Sequence, residues 1–260
     1  MKKLGCLLIA ALVVGACNKD KSTFDASKGE MPMPEAIDIG LEMTRPDGTT
    51  YNLKWASFNL GASKEYEFGN YYAWGELAPK SDYSWETYAL ANGDYESLTS
   101  YCAKDRERFW DMTAKPDGPD GVMRLKSSDD VAQEELGGKW RMPTLDDILA
   151  LLALKEAADE EGSDYIWDQW ASVTNDKGEE INGTRITRKS TGATLFIPAS
   201  GVSEGTNLAP DAGSRGGFWT ASLNPTSPTF AHILIVLPSV TQVAGLNRQK
   251  GLPVRPVCED

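Results

Sequence analysis

Hydrophobic residues first fall into a two-residue rhythm at Ile37, Ile39, Leu41 and Met43. Such alternation puts every second side chain on one face of a strand. Pro46-Asp47-Gly48 is a turn signal, and Tyr51, Leu53 and Trp55 resume the alternation, so residues 37–55 are expected to form a β-hairpin. The rhythm then lengthens. Ser127-Ser128-Asp129 precedes an apolar stretch over 131–136 that Gly137-Gly138 closes, which predicts a short helix. Thr144-Leu145-Asp146-Asp147 has the spacing of a capping box, and Leu145, Ile148, Leu149 and Leu152 follow on one helical face. Lys155 lies near the end of that helix, where a cation is favoured. Strand patterns return at 165–174, 181–189, 193–199, 218–223, 229–237 and 253–257, mostly separated by Gly, Pro or Asn. Two helices early and many strands late make an α+β class.

Between the hairpin and the first helix the chain is aromatic and irregular, with Tyr71, Tyr72, Trp74, Tyr83, Trp85, Tyr88 and Tyr95. Aromatics at this density pack a long loop onto a core. Residues 111–121, with two Pro and three Asp, are expected to form an exposed loop tip. Trp55, Trp74, Trp140 and Trp219 are expected in the core, whereas Trp85, Trp110, Trp167 and Trp170 are less constrained. Arg141 and Arg255 sit between apolar neighbours and need partners such as Asp129 or Asp130.

The N-terminus has a different pattern. Lys2 and Lys3 precede the apolar run Leu4–Val14, which is the layout of a secretory signal. Asn18, Lys19, Asp20 and Lys21 end the run too early for the ~20 residues of a membrane-spanning helix. Val14-Gly15-Ala16-Cys17 resembles a bacterial lipobox, in which the cysteine is acylated and becomes the first mature residue. Two or three acyl chains give stable anchoring. The following Asn18-Lys19-Asp20 partly resembles the tract that sends some Bacteroidetes lipoproteins to the outer face of the outer membrane. The expected organisation is a leader over 1–16, a polar tether over 17–35 and a single domain over 36–260. The expected location is the outer membrane, with the domain held there through lipid at Cys17.

The whole chain has 26 basic and 38 acidic residues, a net charge of −12. Without the leader it has 24 basic and 38 acidic residues, or −14. So acidic a chain is a poor partner for nucleic acid or anionic lipid. Neutral glycans, cations and basic protein surfaces remain compatible with it. With Cys6 in the leader and Cys17 lipidated, Cys102 and Cys258 remain, either as a disulfide or as two separate buried thiols.

Seven segments then occur in order: IDIGL (37–41), WASFNLGA (55–62), GNYYAWGE (69–76), GGKWRMPT (137–144), LFIPASG (195–201), FWTAS (218–222) and GLPVRPV (251–257). Together they closely resemble the Fibrobacter succinogenes major paralogous domain family, over about residues 37–258. The resemblance implies a C-type-lectin-like mixed fold related to formylglycine-generating enzymes. Such a fold has two helices, several short and mostly antiparallel strands, and long irregular loops that carry ligand contacts. Relatives often carry a cysteine at the position of Phe58 and another near Ile166-Trp167; both are absent here, which leaves Cys102 and Cys258 to pair with each other. Their placement does not match catalytic cysteines close together, so the formylglycine-generating activity is not carried over.

Other chemistry is weaker. Gly201-Val202-Ser203-Glu204-Gly205 matches a nucleophile elbow, but a loop follows where that motif needs a helix, and His232, the only histidine, would have to act as base. One histidine and no cysteine cluster exclude most zinc designs. No cofactor is expected. Calcium is the metal that Asp117, Asp120, Asp129, Asp130, Asp159, Glu160, Glu161 and Asp164 could hold, although no EF-hand spacing is present. A ligand face is expected around the polar stretch 203–217, with Trp219, Ser222, Asn224, His232, Gln242, Asn247 and Arg248. The expected function is a non-catalytic module that binds a glycan or protein ligand. The alternatives are an oxidase or hydrolase on the same fold, and a structural envelope protein.

Overall fold

The computed structural model describes residues 32–102, 124–224 and 227–260. The N-terminal hairpin forms as expected from β1 (Ala36–Thr44) and β2 (Thr50–Ala56), paired antiparallel. Its turn is fixed by Asp47, whose carboxylate accepts from the Thr49 amide at 2.9 Å and the Thr49 hydroxyl at 2.7 Å. Gly48 supplies the left-handed residue there, at φ 84°. A bulge between Ile37 and Leu41 contains Gly40 at φ 79°, where a Cβ would lie 2.7 Å from the Arg188 guanidinium.

The third strand of this sheet comes from the far end of the chain. β10 (Val257–Glu259) lies between β2 and the two-residue β3 (Trp140–Arg141), antiparallel to both, giving the order β1-β2-β10-β3. The expected strand over 253–257 therefore overlaps the real one only at Val257. Pro253 and Pro256 have no amide to donate, and the residues before β10 bond irregularly, with Leu252 donating to Tyr72 O at 3.1 Å.

Both helices form. α1 (Val131–Leu136) is capped by Asp130, which accepts from the Ala132 and Gln133 amides. α2 (Leu145–Ala158) has the expected capping box between Thr144 and Asp147. Its buried face is shifted from the expected one. Asp147, Ile148, Leu151 and Leu154 face inward, and Leu149 is half exposed. Asp147 on that face meets Arg141 of β3, which bonds its carboxylate at 2.6 Å.

Two three-stranded antiparallel sheets follow. β4 (Tyr165–Thr174), β5 (Glu180–Arg188) and β6 (Thr194–Pro198) lie in chain order, as do β7 (Gly216–Leu223), β8 (Phe230–Val236) and β9 (Thr241–Asn247). The molecule is mixed α+β and mostly antiparallel. The β7–β8 pair is buried on both sides. Phe218 and Leu234 join Ile39, Trp55, Ile148, Leu151 and Val257 in one core. Trp219 and Ile233 join Tyr72, Trp74, Tyr101, Leu252 and Val254 in a second core beneath the irregular segments.

Three pairings differ from expectation. No disulfide joins Cys102 and Cys258. Cys258 lies within β10 opposite Trp140 and Lys54, whereas Cys102 packs beside Tyr88 and Leu98 and donates to Leu98 O at 3.4 Å. Arg141 pairs with Asp147 and with Glu259, at 3.2 Å, and not with Asp129 or Asp130. Arg255, fully buried, bonds only neutral oxygens: Asn59 Oδ1 at 2.7 Å, Ala56 O at 3.0 Å, Phe196 O at 3.0 Å and Glu65 O at 3.5 Å. Burial pulls its guanidinium down to about 9, still well above neutrality. Arg255→Ala should strand these acceptors away from water and cost on the order of 3 kcal/mol or more. A urea unfolding midpoint within error of the wild type would disprove that role.

Candidate functional site

The irregular segment between β2 and α1 carries most of the buried aromatics, and their polar atoms hold it in place. Tyr83 OH donates to Tyr71 O at 2.7 Å, and Tyr88 OH donates to Trp74 O at 2.7 Å. Trp74 Nε1 donates to Thr220 O and Trp219 Nε1 to Tyr72 O, both at 2.8 Å. Tyr71 OH reaches Ser200 O, and Tyr101 OH reaches the Asp129 carboxylate. Burial pushes the phenols of Tyr71, Tyr72 and Tyr88 well up, so they remain donors at all moderate pH. Trp74, Tyr88 and Trp219 each meet a buried backbone oxygen that would otherwise lack a donor. Trp85 and Tyr95 depart from this pattern; Trp85 is partly buried and Tyr95 is half exposed.

The expected ligand face divides on this framework. Trp219 is fully buried, with its indole committed to Tyr72. Arg248 is also fully buried. Its guanidinium lies 5.2 Å from the Trp74 ring and donates to Ser100 O and Tyr101 O at 3.3 and 3.4 Å, and its Nε has no partner. Neither side chain reaches a ligand, and both belong to the core rather than to the expected face. A charged residue near a loop reads as exposed in a sequence, and nothing local reveals that Trp74 and Tyr101 close over it. Ser222 is partly buried and accepts from the Leu145 amide at 2.9 Å, at the start of α2. His232 pairs with Gly245 across the β8–β9 ladder, and neither of its ring nitrogens makes a normal hydrogen bond.

Gln242 is exposed, and Asn224 and Asn247 are partly exposed. The structure does not bring all three together. Gln242 and Asn247 lie at opposite ends of β9, roughly 17 Å apart at ~3.4 Å per residue. Asn224 and Asn247 lie at the same end. Asn224 N donates to Phe230 O, Phe230 pairs with Asn247, and a Cβ on Gly245 would lie 2.9 Å from Asn224 Nδ2. Lys250 N donates to Asn247 O at 3.1 Å, and Lys250 Nζ pairs with Glu204 at 2.9 Å. The polar loop after Ser203 is therefore tied to the same turn. Most of residues 204–215 are exposed, and Leu208 stands 57% in solvent. Asp211 braces the loop by accepting from the Val202 amide at 2.9 Å and pairing with Arg215.

The nucleophile-elbow geometry is absent at Ser203. That hydroxyl is fully buried, accepts from the Ala209 amide at 3.0 Å, and lies where Ser203 pairs with Gly251. A hollow of about 360 Å³ opens elsewhere, near the start of β1, lined in part by Met33, Ile37, Phe58, Ser63, Lys64 and Thr194. Among the described residues no group of three or more His, Cys, Asp or Glu could hold a metal. Asp129 and Asp130 are engaged by Tyr101 and the α1 cap, and Asp164 by Arg188 and Ser190. Cys17, Trp110, Asp117, Asp120, the 111–121 loop and nearly all of the tether lie outside the described residues. No helix among the described residues is long and apolar enough to cross a membrane. No family model matches the chain, and neither the curated proteins nor the solved structures contain a match.

Two outcomes follow from this geometry. Arg248→Ala should destabilise the protein by about 3 kcal/mol, through a cavity and two stranded carbonyls, while Gln242→Ala should stay within about 0.5 kcal/mol of wild type. Thermal or urea unfolding of the two variants decides between a core and a surface Arg248. His232 adds a pH dependence. Burial lowers its pKa from the usual 6.5, opposed only in part by the Ala244 backbone. The unfolded chain then binds the proton more readily, so this contribution to stability is intact above pH 6.5 and is lost as pH falls through the lowered value. His232→Phe should flatten that limb of the stability profile; an unchanged slope would remove His232 as its source.

Proposed function

We propose that this chain is a lipid-anchored protein of the outer envelope whose domain is a C-type-lectin-like, non-catalytic ligand-binding module. The observation that carries the reading is the bracing of long irregular segments by buried Tyr and Trp donors, which gives loops a fixed shape without regular secondary structure. Preformed loops are suited to recognition because binding does not have to order them first. The lectin-like part of the reading is supported by the pairing of the N-terminal hairpin with the C-terminal strand β10. The binding face is the turn that joins Asn224, Asn247 and the exposed loop after Ser203. It offers amides, hydroxyls and one apolar tip, Leu208, which suit a glycan or a protein surface.

Two experiments test the two halves of this reading. In cells fed an alkyne fatty acid, the wild type should carry label at its mature N-terminus and partition into detergent. Cys17→Ala should lose both properties, and an unacylated mature wild-type N-terminus would end the anchoring claim. For the binding half, the chain is probed on glycan and protein arrays. Any ligand found should be lost by Asn224→Ala/Asn247→Ala, with a melting temperature close to wild type. Binding that survives this pair of changes places the ligand on another face.

A further inference from the structure

The edge of the β7–β8–β9 sheet differs from every other sheet edge in the described residues. β1 carries a bulge and the charges of Asp38 and Glu42, β4 carries a bulge after Asp168, β3 has two residues, and β6 ends in Pro198. The outer side of β7 is covered: Trp219 N donates to Pro253 O, Ala221 N to Pro143 O, and Leu125 N to Ala221 O. These are the usual protections of an edge. β9, with the sequence TQVAGLN, has no charge, no proline and no bulge, since its register with β8 runs unbroken from Thr241 to Asn247.

The direction of its backbone groups can be read from neighbouring bonds. Arg248 N donates to Thr229 O, and Leu237 and Val240 exchange bonds at the other end. Bonded pairs alternate along an antiparallel ladder. Gln242, Ala244 and Leu246 therefore turn their amides and carbonyls toward β8, and Val243 and Gly245 turn theirs outward. Among the described residues nothing bonds Val243 or Gly245 on that outer side.

We propose that β9 pairs antiparallel with β9 of a second copy of this chain, about a two-fold axis at Ala244. In that register Val243 exchanges backbone bonds with Gly245 of the other copy, Gln242 stands opposite Leu246, and Ala244 stands opposite itself. Two observations favour a second copy over an extended peptide. The strand is uncharged within a chain of net charge −12, so self-pairing sets no like charges against each other at the contact. Both edges are also already ordered, so neither pays the entropy that a disordered peptide pays on binding. The result is one continuous six-stranded sheet with an isologous interface.

Cross-linking of single-cysteine additions to the full chain in detergent tests the register. Ala244 of each copy would face the other as a non-hydrogen-bonded pair, at a Cα separation of about 4.5 Å that a disulfide can span. The two copies of Gln242 would be about 14 Å apart, beyond disulfide reach. Mild oxidation should give Ala244→Cys a dominant covalent dimer, with Gln242→Cys no higher than the wild-type background. Added salt should raise the yield by screening repulsion between the acidic copies. Val243→Pro removes only an outward amide, so adding it to Ala244→Cys should abolish the cross-link while the near-UV circular dichroism persists. If that double variant does not fold, the comparison of Ala244 with Gln242 decides alone. Equal yields at the two positions, or no dimer from Ala244→Cys, would overturn the proposal and leave the edge to another partner.

Discussion

A carbonyl oxygen taken out of water has to find a donor, and in this protein much of the buried backbone lies outside helices and sheets. Leaving such a group unpaired costs about 1–3 kcal/mol. Side chains supply the missing donors. Tyr83 and Tyr88 each end on a main-chain oxygen elsewhere in the same irregular segment, Trp74 and Trp219 on one far away in sequence, and Arg255 serves three such oxygens together with Asn59. The abundance of Trp and Tyr follows from this. An aliphatic core of the same volume would fill the space and leave the carbonyls unanswered.

The two buried arginines extend the same logic. Neither Arg248 nor Arg255 bonds a carboxylate among the described residues, and both are held by carbonyl or amide oxygens. Guanidinium suits this task because it offers five donors in a rigid plane. Arg141 is different, with a buried carboxylate on one side and a partly exposed one on the other. Its bond to Asp147 links the α2 cap to β3, and through Glu259 to β10. One side chain thereby aligns a helix start with the centre of a sheet.

Elements whose signal is local were legible in the sequence. The hairpin, the capping box, the Gly137 stop and the strands from 165 to 236 each rest on periodicity or on a turn within a few residues. β9 was not expected, because Gln242, Gly245 and Asn247 interrupt any alternation and only its pairing with β8 makes it a strand. β10 begins later than the apolar run at 253–257 suggests, because its strand state depends on pairing with β2 and β3. The candidate face fared similarly. Asn224, Gln242 and Asn247 reach solvent to some degree, whereas Arg248 and Trp219 are covered by aromatics from more than a hundred residues away. Exposure at such positions is decided by tertiary closure, which composition does not encode.

The position of β10 also sets an order of events during synthesis. Roughly 200 residues separate β2 from the strand that must lie against it. At ribosomal rates of about 5–20 residues per second, that interval lasts about 10–40 s. Throughout it, the inner edge of β2 has no neighbour, and the core that Val257 completes with Trp55 stays open. The hairpin therefore forms early but cannot settle, and the nascent chain presents an unpaired strand edge until β10 emerges. A holding chaperone has its opportunity in that interval, and so does any machinery that can thread only an unfolded chain.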